Sequence, residues 1–191
     1  MRLSIDNCRL LFDIVPGTAV RSSHDLHGVT ASIETSAESL IVDQVSEDSA
    51  YRWLAKYDRF GQQSMRMLLD IRYYGAASVQ ISEDNTGYAI DEVSRACVSP
   101  VWEVFGMRYG EVVVLDPRLA PDPTRNIYRY NADGSLRWQI GSHDFRPDDV
   151  FWNAESLKNG NIRARASLNG WSAEVDDATG EILRILATNE K

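Results

Sequence analysis

Cysteine, histidine and positive charge are all scarce in this sequence. Its 191 residues include two cysteines and three histidines. Cys8 and Cys97 form no C-x-x-C pair and belong to no spaced Cys/His set, which argues against a disulfide framework and a structural zinc site. Both are expected to be reduced, small, buried and apolar. The one short histidine pair, His24-Asp25-Leu26-His27, falls in a polar stretch without a nearby cysteine. Two solvated loop histidines are the simpler reading, so no metal site is expected. Twenty Lys and Arg face 28 Asp and Glu, giving a formal net charge of -8. Affinity for phosphate backbones comes from clustered cations that release counterions, so this balance argues against a nucleic-acid partner. No apolar run approaches the roughly eighteen residues that span a bilayer. Asp6 also interrupts the start before any apolar leader builds. The expectation is a cytoplasmic protein with no membrane partner.

The motifs of catalysis are missing as well. No G-x-S-x-G elbow surrounds a serine, no local signature flanks Cys97, and no glycine loop leads into Lys-Ser or Lys-Thr. The adjacent carboxylates Asp148-Asp149 and Asp176-Asp177 could serve as acid and base, but such pairs are more often turn and surface residues. Asp176 and Asp177 precede Thr179-Gly180, which favours a turn. No catalytic residue and no cofactor is assigned.

What is present is enough apolar material for a core: 43% of residues are hydrophobic and 25% charged. Residues 3–15 read as a strand stopped by Pro16-Gly17, and residues 18–28 as a polar connection. Residues 29–45 read as two strands or one long bulged strand. Ser46-Glu47-Asp48-Ser49 suits a helix N-cap, and Trp53, Leu54, Tyr57 and Phe60 follow at helical spacing. One or two helices are therefore expected around residues 47–70, with Gly61 ending or kinking the first. Beyond it, Met65, Met67, Leu69, Ile71 and Tyr73 alternate like a strand, whereas Met65, Leu68, Leu69 and Arg72 fit a helix. From Ser78 onward hairpins are expected, with Gly87 in a turn, then strands at residues 101–105 and 111–115. Asp116-Pro117 and Ala120-Pro121-Asp122-Pro123 are the strongest punctuation. They suggest an N-terminal α+β subdomain over residues 1–120 and a C-terminal antiparallel subdomain over 121–191. The fold class is mainly β (α+β).

The last third is the most legible. Asn126-Ile127-Tyr128-Arg129-Tyr130 runs out, Asn131-Ala132-Asp133-Gly134 turns, and Ser135-Leu136-Arg137-Trp138-Gln139-Ile140 returns. The plan repeats at residues 171–175, 176–180 and 181–185, with a further strand pair at 150–154 and 162–168. An antiparallel meander follows. The hairpins NIYRYNADGSLRWQI and WSAEVDDATGEILRI resemble the units of quinoprotein-type β-propeller repeats, but two cannot close a propeller and no quinone cofactor is implied. Over roughly residues 124–187, the succession NIYRYNADGSLRWQIG, DDVFWNAE and NGWSAEVDDATGEIL is similar to the ends of small bacterial proteins of the polymorphic or contact-dependent toxin immunity type. Such proteins inhibit by binding, so the resemblance implies a cognate toxin as partner and carries over no catalytic residue.

Two surfaces are candidates for that role. Asp144, Asp148 and Asp149 stand beside Phe151 and Trp152, the composition of a site that grips a basic partner around an aromatic anchor. Trp138 and Trp171 are expected to be mainly core. The second candidate is the stretch between Arg21 and Arg52, which has no Lys or Arg but holds Asp25, Glu34, Glu38, Asp43, Glu47 and Asp48. A solvated acidic face is the plainer explanation there. The expected function is neutralisation of a basic toxin domain by acidic and aromatic complementarity, without catalysis. An enzyme with a dispersed carboxylate site and a structural or adaptor subunit, with self-association left open, are the alternatives.

Overall fold

A computed structural model describes residues 2–6, 9–15, 18–25, 28–35, 39–46, 48–142, 149–166 and 170–187. The chain divides into two compact units between Ala76 and Ala77. In the first, β1 (Arg2–Asp6), β2 (Arg9–Val15) and β3 (Thr18–Asp25) form an antiparallel sheet. The expected single strand over 3–15 is thus two, and the polar stretch after it is itself a strand, because pairing with β2 satisfies its backbone. Next come β4 (Gly28–Thr35), β5 (Ser39–Ser46), β6 (Tyr51–Asp58) and β7 (Gln63–Asp70), an antiparallel meander. One turn of helix, α1 (Ile71–Tyr74), follows.

The class is mainly β, as expected, but the helices placed around 47–70 are strands. Local side chains decide this. Ser46 and Asp48, which could cap a helix, instead close the β5–β6 turn: Ser46 Oγ donates to Asp48 Oδ1 at 2.6 Å and accepts from the Tyr51 N–H at 3.0 Å. Asp58 closes β6–β7 by accepting from Phe60 N and Gln62 N, each at 2.8 Å, with Gly61 at φ 73°. Given those turns, the alternating reading of residues 65–69 prevails: Met65, Met67 and Leu69 are fully buried, together with Leu40, Val42 and Leu54. Each such side chain contributes about 1.5–3 kcal/mol relative to exposure.

The second unit opens with β8 (Val79–Ile81), β9 (Gly87–Ile90) and β10 (Val93–Ala96), antiparallel. A meander of β11 (Val101–Met107), β12 (Gly110–Leu115), β13 (Ile127–Asn131) and β14 (Leu136–Gln139) follows. A second consists of β15 (Phe151–Ser156), β16 (Ile162–Ala166), β17 (Trp171–Val175) and β18 (Ile182–Ala187). β12 is buried along its whole length, as the run Val112-Val113-Val114-Leu115 leads one to expect of an inner strand. The division suggested near residue 121 falls inside this unit. β12 and β13 lie on either side of the prolines and pair from Gly110↔Asn131 to Val114↔Ile127, so Pro121 and Pro123 shape a loop within one unit.

Buried polar groups hold the unit's layers in register. Arg95 and Glu111, both 1% exposed, pair through two bonds of 3.0 Å, and Arg95 also donates to the carbonyls of Val93 and Ala132. The sheet of β8, β9 and β10 is thereby tied to the meander that follows it. The two meanders are tied in turn by Arg129, whose Nε donates to Asp177 Oδ1 at 2.9 Å, and by Trp138, whose indole donates to the Asp177 carbonyl at 2.8 Å. Gly180, at φ 77°, lies so close to the Trp138 ring that a Cβ there would stand 2.8 Å from it.

Candidate protein-binding site

β15 packs against β11 and β12. Two buried contacts fix that seam: Glu103 Oε1 accepts from the Ala154 N–H at 3.0 Å, and Asn126 Nδ2 donates to the Phe151 carbonyl at 2.7 Å and to that of Leu115 at 2.9 Å. Beside it, Trp102 of β11 and Trp152 of β15 meet edge to face, with ring centroids 5.4 Å apart and planes at 85°. Both rings are only half-buried.

The reason lies in the strand register. β11 pairs Val101↔Leu115 and then Glu103↔Val114, so the register shifts at Trp102. β15 pairs Phe151↔Ala166 and then Asn153↔Arg165, so it shifts at Trp152. Each tryptophan is the extra residue of an irregular strand, and such bulges re-aim a side chain. The turn after β12 brings Arg118 to the same place, its guanidinium carbon 5.6 Å from the Trp102 ring centroid and 5.9 Å from that of Trp152. Asp116 holds it there, accepting from Arg118 Nε at 2.8 Å and its terminal nitrogen at 2.6 Å. Burial works to raise the Asp116 pKa, but the Arg118 guanidinium and N–H outweigh it and keep the carboxyl below its ordinary range. Leu119, next to Arg118 in the chain, is 60% exposed.

Of the residues singled out in the sequence, the structure brings Trp152 to this surface. Phe151 and Asp149 turn the other way. Phe151 is fully buried and stacks edge-on with Trp171 at 5.8 Å, and Asp149, 3% exposed, accepts from the Trp171 indole N–H. A carboxylate next to aromatics can be a core acceptor for an indole as readily as a surface grip, and here it is the former. Asp144, Asp148 and Glu38 lie outside the described residues, and Glu34 is exposed on β4 of the first unit. Trp138 and Trp171 are core, at 6% and 8% exposure.

The sequence reading missed Trp102 and Arg118. A signal was there: Val101-Trp102-Glu103 and Phe151-Trp152-Asn153 share an order in which a tryptophan separates an inward apolar residue from a polar one. Elsewhere, Asp176 accepts from Ala178 N and Thr179 N at 2.8 Å each, so Asp176-Asp177 is a turn. Burial pushes the Cys97 thiol up to about 11, far from a nucleophile's range. A shallow concavity of about 400 Å³ flanks β9 between Gln80, Thr86, Tyr88, Ser94 and Arg95, whose charge is already committed to Glu111. Among the described residues no group of three or more His, Cys, Asp or Glu could hold a metal ion, and no helix is long and apolar enough to cross a membrane.

The chain belongs to the family described as a domain of unknown function (DUF7957), which matches residues 78–186 and so nearly coincides with the second unit. No curated protein matches. Among solved structures, the chain is similar to a protein of unknown function from Bacteroides caccae, at 10% identity and TM-score 0.39 over 95% of this chain and 58% of that one. It is similar to glutaminyl cyclase from Myxococcus xanthus, at 13% identity and TM-score 0.38 over 83% of this chain and 70% of the enzyme. It is also similar to BamB from Moraxella catarrhalis, at 11% identity and TM-score 0.37 over 82% of this chain and 47% of BamB. The chain thus spans less than two thirds of the first and last of these proteins.

Proposed function

We propose that this protein acts by binding another protein, and that its role is that of an immunity-type inhibitor of a basic bacterial toxin domain. The observation that carries the binding reading is the pair of register shifts that turn Trp102 and Trp152 to the surface, with Arg118 and Leu119 beside them. Two half-buried tryptophans with an exposed arginine and an exposed leucine make the composition of an interface anchor. Two further features support the toxin as partner: the net charge of -8, which speeds encounter with a basic domain, and the similarity of residues 124–187 to immunity proteins. Glu34, Glu38, Asp144 and Asp148 are the acidic residues proposed to steer that encounter. Asp149 has no such part, since the Trp171 indole occupies it.

The test is affinity capture with the tagged protein in a bacterium that encodes it, at low and high salt, followed by expression of each captured partner alone. A stoichiometric basic partner that arrests growth alone, is relieved by co-expression and is lost at high salt supports the proposal. A partner whose expression is harmless removes the toxin role, and binding unaffected by Trp152→Ala removes the site.

A further inference from the structure

The aromatic corner already contains a ligand, and that ligand is the chain's own. Trp102 and Trp152 stand nearly at right angles, and Arg118 places its guanidinium within about 6 Å of both rings, the distance at which a cation is attracted to an aromatic face. The corner has a floor: Asp116 is 8% exposed and accepts two guanidinium bonds side by side, the forked geometry that distinguishes arginine from lysine. The carboxylate is fixed by the backbone too, accepting from the Arg118 N–H at 3.0 Å, while the Asp116 carbonyl accepts from Leu119 and Ala120. Arg118, by contrast, is 64% exposed. Two of the receiving groups are thus built into strands and the third, Asp116, directly follows β12, while the group received is solvated.

We propose that Trp102, Trp152 and Asp116 form a receptor for one arginine side chain of a protein partner, and that Arg118 is an internal stand-in which the partner's arginine displaces. The inference names the chemistry by which the proposed partner is gripped and rests on the protein-binding reading. An ion pair as exposed as Arg118–Asp116 adds little to stability, so exchanging one guanidinium for another costs the fold almost nothing. Tethered two residues from Asp116, Arg118 competes at an effective concentration on the order of millimolar or above. A lone arginine is therefore held off, and a partner displaces Arg118 only when other contacts, such as one with Leu119, add to its affinity. The corner then discriminates between a complementary surface and a free cation.

The probe is an acetylated and amidated Gly-Arg-Gly peptide, with citrulline replacing arginine as the neutral control. The readout is the indole N–H resonances of the full chain, those of Trp102 and Trp152 being assigned from Trp102→Phe and Trp152→Phe. In Arg118→Ala the arginine peptide is expected to shift both resonances saturably, at least about twofold more tightly than in the unsubstituted protein, as removal of a competitor tethered at a millimolar effective concentration requires. Asp116→Asn added to Arg118→Ala should abolish the shift, and the citrulline peptide should produce none. Equal affinity with and without Arg118, equal binding of the citrulline peptide, or shifts confined to the other indoles would overturn the proposal. No toxin enters this experiment, so it can fail while the capture succeeds, and the reverse.

Discussion

Two pairs of tryptophans in the second unit have opposite fates. Trp138 and Trp171 are buried, and each indole N–H reaches an oxygen inside the unit, the Asp177 carbonyl in one case and the Asp149 carboxylate in the other. Trp102 and Trp152 are half-buried at register shifts and face each other and Arg118. All four sit on strands of the same two meanders, so strand membership does not separate them. The difference teaches that an indole enters this core where an acceptor waits for its N–H, and stays at the surface where a bulge has taken it out of the pleat.

The sharpest way to break the comparison is to empty the buried side. Trp171→Ala removes the edge contact with Phe151 and the indole bond to Asp149, and is expected to cost about 3–5 kcal/mol in denaturant unfolding. Gly180→Ala should cost about 2–4 kcal/mol in the same assay, since alanine must adopt positive φ and press against the Trp138 ring. Trp171→Phe keeps an aromatic ring but loses the donor and part of the indole's volume; a loss of about 1–3 kcal/mol is expected, and no loss would show that the Asp149 bond is idle. On the surface side, Trp152→Ala should cost about 1 kcal/mol of stability while weakening partner capture, and a cost as large as that of Trp171→Ala would erase the distinction.

The smallest effect is a pH dependence on the strand that carries Trp171. Glu174 accepts from Asn161, Arg184 and Asn159, and these bonds lower its pKa to about 2. A depressed folded pKa means that the contribution is complete above the unfolded value near 4.5 and is lost as pH falls through about 2. Thermal melts of Glu174→Gln should therefore lie below those of the unsubstituted protein at pH 7 and converge with them towards pH 2.

The hairpins at residues 126–140 and 171–185 were legible in the sequence because their turns are self-contained: Asp133 and Asp176 bind backbone N–H groups two or three residues on, and Gly134 and Gly180 take positive φ. Residues 47–60 were not legible, because Ser46, Asp48 and Asp58 suit a helix cap and a hairpin turn equally well. What settles the matter is pairing with neighbouring strands, which local pattern does not contain. The same holds for the site. Trp152 could be picked out as an aromatic beside acids, but the register shift beside it, and the approach of Trp102 from a strand and of Arg118 from a turn far away in sequence, are properties of the pairing. Asp149 was misread because a carboxylate in a core has the same letter as one on a surface, and only the position of the Trp171 N–H tells them apart.

The bond between Arg129 and Asp177 joins positions 48 residues apart, and the guanidinium at one end is 1% exposed. A lineage that loses Asp177 leaves that charge stranded, while one that loses Arg129 opens a hole beneath the turn, so descendants should change the two together or keep both. Both positions lie within the span that matches the family, residues 78–186. A recombination joint between them would separate lock from key, so a hybrid crossed over between positions 129 and 177 should be less stable than either parent unless both halves carry the pair.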